Sequence, residues 1–175
     1  MHRTLFPVLI AAISMTLEAA PTVLRADSLS IELPKGWSSE TAGVEDPVLL
    51  FARSASDSSG ANPNTRNLVV TREALSPLLA KLFNQDPVFF LQVSLLQTYR
   101  SMNMIDVRRR TINGVSGVFI SSFLREAKTE VSNVQFFFLR GERLFLVVYS
   151  CQYSERENAI PAFEKSLSTL RWSKK

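Results

Sequence analysis

The chain has 175 residues, 46% of them hydrophobic and 21% charged, with 20 basic against 16 acidic side chains, one histidine and one cysteine. That length suffices for one domain with a sizeable core, and the charge excess is too small to require nucleic acid or an anionic surface as a partner. A lone cysteine excludes an internal disulfide, so packing alone must hold the fold.

Met1-His2-Arg3 precedes an apolar run over residues 5–17, interrupted only by small or hydroxyl residues and Pro7. A short basic start followed by an apolar stretch of this length, too short to span a bilayer comfortably, reads as a secretory leader. Pro21 ends its helix, and Leu24-Arg25-Ala26 offers a cleavage site. Cutting after Ala20 would leave Pro21 as the first mature residue, and an uncleaved anchor is the remaining alternative. The expected organisation is therefore a leader over 1–26 and one domain over 27–175, periplasmic or secreted, with no later segment able to cross a membrane. Removing 1–26 leaves 149 residues with 18 basic and 15 acidic side chains, and takes away His2, the only imidazole. A Ser-His or Cys-His pair or a histidine-rich metal site cannot then be built. No nucleophile elbow and no glycine-rich phosphate loop occurs either, so no catalytic, cofactor or metal site is expected.

Residues 28–33 alternate as a strand that Pro34 stops. Pro34-Lys35-Gly36-Trp37 reads as a turn whose indole folds back on the sheet. Residues 47–52 form a short apolar strand, and 67–72 form another that should pair with it antiparallel. Between them, 53–66 is rich in Ser, Asp, Asn, Gly and Pro, a long loop of the kind that carries mobility or a partner contact. Asp57, Asn62 and Asn64 are its candidate contact residues. Pro77 opens a short helix over 76–84. Asp86-Pro87 opens a second over 87–101, whose polar stripe is Ser94, Gln97, Thr98 and Ser101 and whose apolar remainder should pack on the sheet.

Residues 105–111 form a strand bearing Arg108-Arg109-Arg110. Successive strand residues point oppositely, so Arg108 and Arg110 share a face and Arg109 does not. Arg108 and Arg110 are candidates for a partner's carboxylate or phosphate; the alternative is a charged edge that discourages aggregation. Asn113-Gly114 is a two-residue hairpin signal leading into a strand over 115–125. The next hairpin, 131–153, turns at Arg140-Gly141-Glu142-Arg143 and is apolar on both faces, with Phe136 and Phe138 opposed to Phe137. Such a strand pair lies mid-sheet and is covered on both sides. Cys151 at its end reads as a small buried hydrophobe. Ser154 and Glu157 have the spacing of a capping box, and Ile160, Phe163, Leu167 and Leu170 follow at helical spacing. Pro161 implies a kink or a start near Ile160.

The opening SLSIELPKGW, the NLVVTRE strand, the INGVSGVFISSF strand, the FFFLRGERLFLVVYSC hairpin and the terminal FEKSLSTLRW occur in an order that resembles the PsbP-like family, which includes the Ran-binding protein Mog and bacterial DcrB proteins. The resemblance covers most of residues 28–172 and implies an α+β fold, an antiparallel β-sheet sandwiched between helical layers. It implies a scaffold used for several binding and assembly roles, and no site carries over residue by residue. With the leader, the character is closest to the DcrB-like envelope proteins. The expectation is an exported, non-catalytic binding or assembly-accessory protein with a protein partner in the envelope. The alternatives are a small-ligand carrier with a pocket between sheet and helix, or a histidine-independent hydrolase.

Overall fold

Two tight turns organise the larger sheet. A computed structural model of the chain describes residues 22–26, 28–40, 48–54, 66–98, 102–126 and 129–173. Asn113 and Gly114 both take positive φ, 49° and 76°, as a type I′ turn requires, and join β6 (Met102–Ile112) to β7 (Val115–Glu126). Gly141, at φ 61°, turns β8 (Thr129–Arg140) into β9 (Arg143–Gln152), with Arg140 opposite Arg143. Gly117 in β7 is required by close approach: a Cβ there would lie 2.2 Å from the Phe137 carbonyl oxygen.

Ahead of these strands come β3 (Trp37–Glu40), β4 (Val48–Ser54) and β5 (Asn67–Ala74). The described strands make an antiparallel sheet ordered β3-β4-β5-β9-β8-β7-β6. β4 and β5 pair as expected, and β8 and β9 are interior strands. Strand alternation then splits their side chains into two cores. Val134, Phe136, Phe138, Phe145, Val147 and Tyr149 face one way, onto Phe163 and Leu167 of α3 (Arg156–Leu167). Phe137 and Leu144 face the other way, with Val118 and Ile120 of β7. They meet Ala80 and Phe83 of α1 (Pro77–Gln85), and Leu91 and Leu95 of α2 (Pro87–Thr98). This two-sided burial is the α+β sandwich that the apolar hairpin implies.

A small second sheet, ordered β1-β2-β10, joins β1 (Val23–Ala26), β2 (Leu29–Glu32) and β10 (Arg171–Trp172). It closes the α3 side of the aromatic core with Leu24, Leu29 and Ile31. The Glu32 N–H donates to Thr169 Oγ1 at 2.8 Å, the Ser166 hydroxyl donates to the Glu32 carbonyl, and the Ser173 N–H donates to the Ser28 carbonyl at 2.8 Å. β1 lies within the stretch read as leader. The residue 28–33 strand belongs to this small sheet rather than to the large one.

Local structure adds to expectation or departs from it in three further places. Trp37 does pack inward, its ring 5.6 Å from Tyr149, but it also begins edge strand β3. The capping box does not form. Ser154 sits in a 3-10 turn (Tyr153–Glu155) before α3, and Glu155 at the cap makes no side-chain bond to the helix. Its carboxylate is instead held by Arg66 at 3.1 and 3.3 Å. Finally, α3 begins at Arg156 and runs through Pro161. None of the described helices is long and apolar enough to cross a membrane.

Candidate functional site

Three surface features meet around the β6 edge and the α1–α2 pair. The first is the arginine strand. Arg108 and Arg110 share a face, as the alternation predicts, and both guanidiniums lie over the buried Phe119 ring, at 5.1 and 5.3 Å. Glu164 of α3 accepts from Arg110 at 2.9 Å and stands 3.8 Å from Arg108, which also meets Asp106 at 3.3 Å. The two cations therefore clasp α3 to the sheet edge. Arg110 is one-third exposed, and the 54% exposure of Arg108 leaves part of its head in water. Arg109 points the other way, 3.6 Å from Asp86. At such exposures these pairs contribute little stability, typically about 0–1 kcal/mol each.

Asp86 has further roles. Its N–H donates to the Leu82 carbonyl at the end of α1, and its carboxylate accepts from the Phe89 N–H at 3.2 Å at the start of α2. One residue thus ends one helix and caps the next, which sets the sharp corner between them. Below this corner lies the second feature, a cleft of about 340 Å³. Phe83, Asn84 and Pro87 form one wall, and Arg109, Thr111 and Ser116 the other. Its lining is mostly polar, and of the two arginines that line it Arg109 is met by Asp86 and Arg110 by Glu164.

The third feature is one that the sequence pattern did not single out. Of seven large hydrophobic side chains exposed among the described residues, five lie on the two helices: Leu78 (66% exposed), Leu79, Leu82, Phe89 (63%) and Val93. The expectation that Phe89 and Val93 pack on the sheet is therefore corrected. Leu91 and Leu95 face inward at i and i+4, and Phe89, two positions before Leu91, falls about 200° round the helix. α2 is apolar almost all round, so periodicity alone could not select its buried side. The surplus of apolar residues over one stripe was the signal available.

Cys151 is buried within the aromatic core, opposite Ser132. Burial, reinforced by the Glu155 carboxylate, pushes its thiol from 9.0 up to about 11, against the weaker pull of Arg66 and Arg156. The thiolate is thus scarce at neutral pH, and the side chain acts as a small hydrophobe. Among the described residues, no three of His, Cys, Asp and Glu are grouped to hold a metal ion. Asp57, Asn62, Asn64 and Ser101 lie outside the described residues.

No protein-family model and no curated protein matches this sequence. Solved structures do match. Cyanobacterial PsbP (CyanoP) from Synechocystis sp. PCC 6803 is similar with a TM-score of 0.63 and 13% identity, over 94% of this chain and 99% of that one. LpqN, involved in cell envelope biogenesis of Mycobacterium tuberculosis, gives 0.59 and 10% over 89% and 91%. A Pseudomonas aeruginosa protein of unknown function, PA94, described as a putative regulator, gives 0.51 and 12% over 89% and 99%. Identities this low establish shared architecture. The chain has the PsbP-like fold.

Proposed function

We propose that the protein is an exported, non-catalytic accessory of the bacterial envelope, DcrB-like in character, that binds another protein through α1 and α2. The observation that carries this reading is the set of exposed side chains Leu78, Leu79, Leu82, Phe89 and Val93 on helices whose opposite sides already fill a core. Apolar surface concentrated in this way marks interaction sites. Lys81 is the one charged residue on α1, so apolar complementarity dominates the contact and charge sets its rim. Arg109, 63% exposed and 3.6 Å from Asp86 at the α1–α2 corner, is the candidate for that rim, whereas Arg108 lies on the α3 side of the same edge. The leader-like start and the architecture shared with LpqN, whose description concerns envelope biogenesis, support the location. The loss of the sole imidazole with the leader supports the non-catalytic part.

The test places a photo-crosslinking residue at Leu78, at Phe89 and, as control, at Lys165 on exposed α3, in the envelope of the native host. One protein adduct shared by Leu78 and Phe89, absent from Lys165 and lost on Leu82→Glu, is expected. The absence of any adduct, or an equal yield from Lys165, overturns the reading. The cleft favours a second reading as a small-ligand carrier, since its volume falls within the roughly 300–1,000 Å³ usual for ligand sites. A thermal-shift screen against lipids and envelope metabolites that stays flat throughout would dispose of that alternative.

A further inference from the structure

The sequence offers two Leu-x-Ala steps at or beyond the end of the apolar run, Leu17-Glu18-Ala19 and Leu24-Arg25-Ala26. By pattern they are equivalent leader-cleavage sites, each ending in a small residue. Cleavage at the two has different structural consequences. The second lies wholly within β1, which pairs with β2 along its full length, from Val23 opposite Glu32 to Ala26 opposite Leu29. The Leu33 N–H donates to the Thr22 carbonyl at 2.8 Å. Leu24 is 5% exposed and belongs to the same core as Leu29 and Ile31.

A cut after Ala26 removes all of this. β2 would keep only β10, which meets it at Ser30 and Leu29 alone. The space filled by Leu24 would open beside the aromatic core, and buried apolar contacts of this kind are costly to lose. A cut after Ala19 leaves Ala20-Pro21-Thr22 ahead of an intact β1. It also makes Pro21 the second mature residue, avoiding the proline at the new N-terminus that a cut after Ala20 would leave.

We propose that the leader is removed after Ala19, and that β1 is part of the mature domain. This rests on the export half of the proposed function and is independent of the partner surface. The test expresses the full chain with its own leader in a diderm host, recovers the processed protein, and determines its first residue by N-terminal sequencing and intact mass. Ala20 is expected. A first residue of Asp27 overturns the inference while leaving export standing; retention of all 175 residues overturns the inference and the cleaved-leader reading together. In the processed protein, Leu24→Ala should lower Tm by roughly 5–10 °C. An unchanged Tm would mean that β1 has been removed, and would equally overturn the assignment.

Discussion

The two faces of the seven-stranded sheet draw on the same strands and are closed in opposite styles. On the α3 face the seal is aromatic and distributed. Phe138 stacks on Phe145 at 5.2 Å, Trp172 meets both rings edge-on, and Tyr149 stacks on Phe163 at 5.2 Å. That lid is built from three short strands and a helix drawn from both ends of the chain. On the other face the seal is a pair of consecutive helices, largely aliphatic, whose outer side is also apolar. The first face is finished by the domain itself, while the second presents unpartnered apolar surface to the outside. The difference separates a face closed by pieces from both ends of the chain from one covered by a local layer that keeps apolar side chains on its outer side as well.

The largest effects should come from the paired phenylalanines. Phe138→Ala and Phe137→Ala are each expected to cost about 3–5 kcal/mol in urea unfolding. Phe138, with its ring neighbours, should exceed Phe137 by about 0.5–1.5 kcal/mol. A near-neutral Phe137→Ala would break the comparison, because the α1–α2 face would then be open rather than packed.

Cys151 probes the aromatic face next. Its folded pKa is raised, so the stability it contributes is fully present below about pH 9 and lost as pH rises towards 11. The wild-type protein should lose about 2 kcal/mol more than Cys151→Ala over that interval. Parallel stability curves for the two proteins would show that the thiol is not held from solvent.

Asn113→Gly keeps the positive-φ turn but removes the side-chain amide that donates to the Leu170 carbonyl at 2.9 Å and to the Ser168 carbonyl beyond α3. The expected cost is about 1 kcal/mol, and an unchanged midpoint would remove this link from the aromatic side. Smallest of all, Leu78→Ser on the outer helical face should change stability by no more than about 0.5 kcal/mol. A larger loss would mean that this face is part of the core.

What could be read from the sequence was local. The Asn113-Gly114 turn, the Pro77 and Pro87 helix starts and the two-sided hairpin each declare themselves within a few residues, because turn geometry and strand alternation act at that range. The small sheet could not be read. Its strands contribute two to four residues each, and Leu29 meets Trp172 across most of the chain. Leu24-Arg25-Ala26 fits a cleavage pattern and a strand equally well, and the strand becomes visible only through its pairing with β2. The alternation of Arg108, Arg109 and Arg110 was legible, but the engagement of two of them by Glu164 was not, since α3 arrives more than fifty positions later. The exposed helical face was hidden because the apolar remainder beside the polar stripe of α2 is wider than the side that packs, so Phe89 and Val93 could not be told from Leu91 and Leu95.

The meeting of β1, β2 and β10 also bears on timing. Leu24, Leu29 and Ile31 come early in the chain, whereas Phe163, Leu167 and Leu170 come late, and all six share one core. A chain made from its N-terminus cannot assemble that core until its final turn has been synthesised. Contacts of such long range also make folding slow. The early strands therefore have no completed core to settle on while most of the polypeptide is still to be made. The topology thus defers closure of this core to the last residues of the chain, and makes the two termini depend on each other for their burial.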